Sequence, residues 1–115
     1  MIDIHSHILY GMDDGARDIE TSYAMCRLAV ENGVDKIFAT SHLTELYDVR
    51  SYVNARDDRI ARLRELIEER GLGIEIYPGA EVYASDDLFF CEGLEEVTLN
   101  NSKYILVEFP MRGIS

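Results

Sequence analysis

The sequence predicts an α/β fold with parallel strands, in the order β-α-β-α-β-(α)-β. Two observations carry this prediction. Short apolar runs alternate along the chain with longer segments whose apolar residues recur at helical spacing. Glycines follow both longer segments, at Gly33 and Gly71, where helices commonly end. This alternation is typical of a parallel sheet covered by helices, either a small open sheet or an arc of a (β/α) barrel.

The first strand and the first helix are predicted between residues 2 and 33. Apolar and polar residues alternate over 2–8, which indicates a strand, and two aspartates with two glycines mark a loop over 10–16. Asp18 is a suitable N-cap for the helix that follows, and Gly33 suits its C-terminal end. The apolar face of this helix comprises Ile19, Tyr23, Cys26 and Val30.

The second strand and the second helix occupy residues 36–70. Residues 36–40 form a short apolar run that leads into a polar strand end at 41–44. A helix is predicted over roughly 50–70, with Gly71 after it. Its core side is predicted to comprise Ile60, Leu63 and Ile67. Its solvent side is predicted to comprise Arg56, Arg59, Arg62, Arg64, Glu65 and Glu69.

Two further strands complete the predicted order. Residues 73–78 read as a third strand with a polar end at 79–81, and residues 86–91 as a short helical turn. Residues 104–109 form the most hydrophobic strand of the chain. A complete (β/α) barrel needs roughly 200 residues or more, so 115 residues supply about half of one.

Charge and composition narrow the classes of function. The formal net charge is −11, with 22 acidic and 11 basic residues, so neither a nucleic acid nor an anionic membrane surface is expected as a partner. No apolar run approaches the roughly 20 residues of a membrane span, and no signal-peptide pattern opens the chain. Cys26 and Cys91 lack a CxxC spacing and are expected to be free thiols. A cytoplasmic protein without membrane insertion is therefore expected.

Polar side chains at strand ends give the main functional signal. His5 and His7 end the first strand, His42 follows the second, Glu81 follows the third, and Glu108 lies in the fourth. Ligands bind at the carboxyl edge of the sheet in parallel α/β folds. His5 and His7 are two residues apart, so in a strand both side chains point to the same face. Imidazole and carboxylate donors of this kind suit Mn, Fe or Zn.

Several of these residues also permit simpler interpretations. His42 could bond only to backbone, Glu81 could be a solvated loop carboxylate, and the loop at 13–15 could be a plain turn. Glu108 is harder to explain in this way, because it interrupts an apolar run and a buried carboxylate is costly unless paired or bound to a metal. Arg17 and Arg50 lie near loops and are weak candidates for contact with an anionic substrate.

Four motifs in order resemble the PHP (polymerase and histidinol phosphatase) family. The closest branch is the bacterial manganese-dependent tyrosine-protein phosphatases of capsular and exopolysaccharide operons. The first motif is residues 1–7 (MIDIHSH) followed by 13–15 (DDG), and the second is residues 39–42 (ATSH). The last two motifs are residues 77–81 (YPGAE) and 99–109 (LNNSKYILVEF).

The resemblance implies a fold, a site and a reaction. The family fold is a distorted (β/α)7 barrel with a metal cluster at its carboxyl face, and residues 1–115 correspond to the N-terminal portion of such a metallophosphatase domain. The implied reaction is hydrolysis of phosphotyrosine by a metal-activated water, with two or three ions, most typically Mn. The implied substrate is a protein, usually a bacterial tyrosine kinase. The metal-ligand positions are His5, His7, Asp14, His42, Glu81 and Glu108.

The family's later motifs, which include further ligands, find no counterpart in these 115 residues. Two alternatives therefore stay open. One is another PHP phosphoesterase that acts on a small phosphate ester such as histidinol phosphate. The other is an inactive metal-binding or assembly fragment. A half barrel also has an unpaired strand edge, which predicts a possible homo-oligomer through that edge.

Overall fold

The computed structural model describes residues 1–12, 15–43, 49–83, 97–101 and 106–108. The predicted α/β class with parallel strands is confirmed, since every strand pairing in this part of the chain is parallel. Leu99–Asn101 forms a short 3-10 turn. The helices and strands are β1 (Ile2–Ser6), α1 (Ile19–Glu31), β2 (Lys36–Ala39), β3 (His42–Leu43), α2 (Val49–Arg70), β4 (Glu75–Pro78), β5 (Glu81–Tyr83) and β6 (Leu106–Glu108).

The start of α1 and the C-terminal ends of both helices lie where the sequence predicts. Asp18 caps α1, because its carboxylate accepts a hydrogen bond from the Thr21 amide at 2.8 Å, and this bond holds the pKa of Asp18 below its usual value. Gly33 and Gly71 follow the two helices with φ of 87° and 70°, a left-handed conformation that glycine adopts without strain.

The strands form two three-stranded groups along one polypeptide path. The first group has the order β1-β2-β4, and the second has the order β3-β5-β6. Two residues separate β2 from β3, and two residues separate β4 from β5. The sequence predicts one strand in each place, with His42 and Glu81 as strand ends. The structure instead breaks both strands, so that His42 and Glu81 begin short second strands that pair with each other.

Two clusters of buried side chains correspond to these two groups. Ser22 on α1 is buried as well, but it is a polar residue and belongs to neither cluster. The first core comprises Ile8, Leu9, Cys26, Ile37, Ala39, Ile60, Leu63, Ile67, Ile74 and Ile76. The second core comprises Leu43, Val49, Tyr52, Val53, Ala80, Val82 and Val97. The predicted core side of α2 is confirmed, because all three of its predicted residues belong to the first core.

The predicted solvent side of α2 is wrong at Arg56. This side chain is only 4% exposed, because it lies one helical turn from Tyr52 and one from Ile60 on the buried stripe. Arg59 is half-buried and donates to the Tyr10 carbonyl at 2.7 Å. The other predicted solvent-side residues, Arg62, Arg64, Glu65 and Glu69, are exposed as expected.

Some predicted elements fall outside the described residues. These are the short turn at 86–91, which includes Cys91, and residues 104, 105 and 109 of the predicted fourth strand, whose residues 106–108 form β6. Among the helices that the structure describes, none is both long and apolar enough to span a membrane.

Candidate metal centre

Three histidines and one glutamate meet where the first strand group joins the second. His5 Nε2 lies 2.7 Å from Glu81 Oε2, and His7 Nε2 lies 3.4 Å from Glu81 Oε1. His42 Nδ1 approaches the same Oε1 atom at 3.0 Å. The two nitrogens His5 Nε2 and His7 Nε2 are 3.2 Å apart, and the rings of His7 and His42 have centroids 4.5 Å apart. Glu81 is therefore the common neighbour of all three imidazoles.

Burial increases from the rim of this cluster to its centre. The His5 side chain is 49% exposed, whereas the Glu81 side chain is only 10% exposed. His7 and His42 lie between these values, at 21% and 28%. A carboxylate with so little contact to water needs compensating positive charge or hydrogen-bond donors. The cluster is therefore open on the side of His5 and closed behind Glu81.

The donor set fits a divalent cation. One ligand atom from each of His5, His7 and Glu81 lies within 4.8 Å of the others. Donor atoms that share one ion at bond lengths of about 2.1 Å lie roughly 3 to 3.5 Å from one another, which matches the spacing of the two Nε2 atoms. Acceptor atoms that converge this closely repel unless a proton or a cation lies between them. Nitrogen and oxygen donors without sulfur suit Mn, Fe or Zn.

Thr40 fixes the segment that carries His5 and His7. Its hydroxyl oxygen accepts a hydrogen bond from the Ser6 amide at 2.8 Å and donates to the Ser6 carbonyl at 3.3 Å. The Thr40 amide also donates to the Ser6 carbonyl at 2.8 Å. The pairing of β1 with β2 shifts register between Asp3 and Ser6. The Thr40 side chain thus replaces part of the interrupted ladder at the residue between the two histidines.

Tyr52 and Arg56 on α2 reach the two strand breaks. The Tyr52 hydroxyl lies 3.1 Å from the Ser41 carbonyl and 3.0 Å from the Gly79 carbonyl. Arg56 Nη1 donates to the same Gly79 carbonyl at 3.4 Å. Gly79 is packed closely, since a Cβ there would lie 3.0 Å from Leu99 Cδ2. The strand breaks beside His42 and Glu81 are therefore held from the helix side.

The structure brings together four of the six predicted metal ligands. Asp14 lies outside the described residues, and so does the side chain of Glu108. The backbone of Glu108 ends β6 and pairs in register with Tyr83, two residues after Glu81. Arg17 precedes α1 and Arg50 is the second residue of α2, and both side chains are exposed.

Thr40 and Tyr52 are the supporting residues that the sequence analysis missed. A signal for each was present. Tyr52 lies on the same helical stripe as Ile60 and Leu63, and a buried tyrosine hydroxyl usually has a hydrogen-bond partner. Thr40 directly precedes the polar strand end that carries His42. The partners themselves, however, are backbone atoms far away in the sequence, which no local pattern reveals.

The fold and the site together define an α/β protein with a candidate metal centre at the carboxyl ends of parallel strands. Residues 1–113 match the family described as "Capsular polysaccharide synthesis, CpsB/CapC", and the chain belongs to this family. The resemblance to tyrosine phosphatases of capsular operons is thereby confirmed.

Individual relatives agree with this assignment. The chain is 37% identical over 116 residues to the tyrosine-protein phosphatase CpsB of Streptococcus pneumoniae, and the alignment covers 96% of this chain and 46% of that protein. It is 37% identical over 112 residues to the tyrosine-protein phosphatase YwqE of Bacillus subtilis, with 96% and 43% covered. The putative tyrosine-protein phosphatase CapC of Staphylococcus aureus is 32% identical over 120 residues, with 99% and 45% covered. The chain spans less than half the length of these relatives.

A solved structure shares the fold. It comes from crystal structures of YwqE from Bacillus subtilis and CpsB from Streptococcus pneumoniae, described as unique metal-dependent tyrosine phosphatases. It superposes with a TM-score of 0.81 at 34% identity, and it covers 96% of this chain and 44% of that chain. The present chain therefore has the fold of one part of a larger metal-dependent enzyme.

Proposed function

We propose that residues 1–115 are the N-terminal portion of a PHP-type metallophosphatase domain that hydrolyses phosphotyrosine on proteins. The observation that carries this proposal is the convergence of His5, His7 and His42 on the single carboxylate of Glu81. The relatives named as tyrosine-protein phosphatases support the reaction class, and the shared fold supports the use of metal ions.

The proposed metal ligands are His5, His7, His42 and Glu81, with Asp14 and Glu108 added from the resemblance. We propose that the site binds two or three Mn ions. Its oxygen and nitrogen donors also accommodate Fe or Zn. When bound, such ions polarise a phosphoryl group and lower the pKa of water.

The chain's own residues have separate tasks in this proposal. Glu81 supplies buried negative charge that balances the cations, and its two oxygens face different histidines. His5 forms the exposed rim, where a substrate on another protein has access. Arg17 and Arg50 are exposed and are the proposed, weaker candidates for contact with the phosphate.

The proposed substrate is a phosphotyrosine protein, in particular a bacterial tyrosine kinase that controls polysaccharide synthesis in the cytoplasm. The chain carries 22 acidic residues, which disfavours nucleic acid as an alternative partner. Ile2 and Ile4 on β1 are 55% and 51% exposed, which supports the proposal of a homo-oligomer through this edge. Light scattering, which measures the molar mass in solution, would test this proposal of a homo-oligomer.

His5→Ala and Glu108→Ala test the proposed function in the longest form of the protein. We expect each variant to lose bound Mn and to lower kcat/KM on a phosphotyrosine peptide by more than about 100-fold, since even outer-shell changes cost about 10- to 100-fold. Metal content is measured by elemental analysis, and folding by circular dichroism. Glu69→Ala is the matched control, because it removes one exposed acidic side chain at the far end of α2.

Three outcomes would contradict the proposal in different ways. Unchanged metal content in both variants would refute the assignment of the site. Faster phosphate release from histidinol phosphate than from the peptide would refute the substrate class. If Mn neither raised the melting temperature nor supported hydrolysis, an inactive metal-binding or assembly fragment would be the better description.

A further inference from the structure

The Tyr52 hydroxyl is buried between two backbone carbonyls, one in each of the two strand breaks. The side chain is 7% exposed, and its oxygen lies within hydrogen-bond distance of Ser41 and of Gly79. Ser41 directly precedes His42, and Gly79 precedes Glu81 by two residues. One hydroxyl group on α2 therefore touches the backbone beside two of the proposed metal ligands.

The same two carbonyls have other partners. The Ser41 carbonyl also accepts a hydrogen bond from the Glu81 amide at 2.9 Å. The Gly79 carbonyl also accepts the bond from Arg56 at 3.4 Å. Neither buried carbonyl depends on Tyr52 for its only hydrogen bond. The hydroxyl is thus not required to satisfy the backbone, and what it adds is a link between the two strand breaks.

Arg56 supports Tyr52 from the next turn of α2. Its guanidinium carbon lies 5.9 Å from the centroid of the Tyr52 ring, and its Nε donates to Asp57 at 2.9 Å. A buried arginine is costly unless its charge and its donors are compensated. These contacts keep the Tyr52 ring in the position from which its hydroxyl reaches both carbonyls.

We propose that Tyr52, supported by Arg56, is a positioning residue that sets the separation of the His42 and Glu81 side chains. This inference rests on the metal site proposed above. The distance of 3.0 Å between His42 Nδ1 and Glu81 Oε1 depends on how the two strand breaks sit against each other. The hydroxyl proton fixes that relation from outside the ligand set, as outer-shell groups do for metal ligands.

Tyr52→Phe in the longest form of the protein tests this inference. We expect the affinity for Mn²⁺, measured by isothermal titration, to fall about tenfold, at the lower end of the range for outer-shell partners. We also expect a changed electron paramagnetic resonance spectrum of the bound Mn²⁺. Tyr77→Phe is the matched control, because it removes a tyrosine hydroxyl that bonds to the exposed Glu75 side chain, and its Mn²⁺ affinity should equal that of the wild type.

The outcomes separate this inference from the proposed function. If the wild type binds Mn²⁺ and Tyr52→Phe binds it equally well with the same spectrum, the inference is refuted and the metal site stands. If the wild type does not bind Mn²⁺, the proposed function itself fails. Should Tyr52→Phe not fold, Arg56→Met is the second test variant, because it removes the other donor to the Gly79 carbonyl. A weaker Mn²⁺ affinity in that variant would support the inference, and an unchanged affinity would refute it.

Discussion

The first core packs against the first strand group and the second core against the second group, and the two contain different kinds of side chains. The first core consists of isoleucines and leucines with one alanine and one cysteine, and it packs between the first strand group and both helices. The second core contains Tyr52, has Arg56 beside it, and adjoins the buried polar residues Thr40, Ser41 and Glu81. Stability is therefore expected to depend mainly on the first core, and site geometry mainly on the second core and the polar residues beside it.

The physical reason is the directional character of the contacts. The free energy gained by burying apolar side chains is roughly proportional to the area removed from water and depends little on the angles of contact. Hydrogen bonds require particular distances and angles, so they fix where a backbone segment lies. A change in the first core should therefore lower stability and leave metal binding alone, whereas a change near the second core should alter metal binding even where stability changes little.

Leu63→Ala should have the largest effect on stability. Leu63 is fully buried in the first core, so its truncation should lower the free energy of unfolding by about 2 to 5 kcal/mol. Denaturant unfolding measures this loss, and Mn²⁺ titration of the folded variant should give wild-type affinity. Leu28→Ala, at a side chain that is 59% exposed, is the control. A large loss of Mn²⁺ affinity in folded Leu63→Ala would break the separation of the two cores.

Cys26 should make the first core sensitive to alkali. Burial raises the pKa of its thiol to about 11. The folded protein binds the thiol proton more tightly than the unfolded chain does. The contribution of the thiol to the free energy of unfolding is therefore complete below pH 9 and is lost as the pH rises through about 11. The loss should be about 2 to 3 kcal/mol. Unfolding curves between pH 8 and 11 should show it in the wild type, and a Cys26→Ala variant with the same pH dependence would contradict it.

Thr40→Val should have a moderate effect on stability and a clear effect at the site. The valine keeps the shape but leaves the Ser6 amide without its side-chain acceptor, at a cost of about 1 to 2 kcal/mol. Since Ser6 lies between His5 and His7, the Mn²⁺ affinity should also fall. Thr21→Val makes the same chemical change on the exposed face of α1 and should bind Mn²⁺ normally. Equal affinities in the two variants would argue against a role for Thr40 in placing the histidines.

Glu20→Gln should have the smallest effect. Glu20 pairs with both Nη atoms of Arg70 at 2.9 and 2.7 Å and ties α1 to α2 on the solvent side of the first core. The Arg70 guanidinium holds the pKa of Glu20 below its usual value, so any contribution fades as the pH falls through that pKa. Exposed pairs are screened by water and salt. We expect a change in melting temperature only at low ionic strength, and a salt-independent change would contradict this.

The sequence predicted the apolar part of the molecule well, because local patterns determine it. Helix α1 begins after Asp18 as expected, and the stripe of Ile60, Leu63 and Ile67 on α2 is buried as expected. Periodicity and capping residues are visible within a few positions of the chain. The placement of His5 and His7 beside each other also follows from local spacing.

The polar part could be predicted only incompletely, because it depends on contacts between distant residues. Arg56 was assigned to solvent by residue type, although its helical phase places it on the buried stripe. The breaks that separate β2 from β3 and β4 from β5 follow from hydrogen bonds with α2 and with β1, over separations of 11 to 34 residues. Such pairings have no signature in a single sequence.

Gly79 has a consequence for how this molecule can change over evolutionary time. A methyl group at this position would meet Leu99 at 3.0 Å and Thr40 at 3.2 Å. Thr40 also holds the segment between His5 and His7, so a substitution at Gly79 would disturb both halves of the donor cluster at once. Substitutions at this single position are therefore expected to be selected against, whichever metal or substrate is favoured. By contrast, the cluster is open to water on the side of His5, whose side chain is 49% exposed.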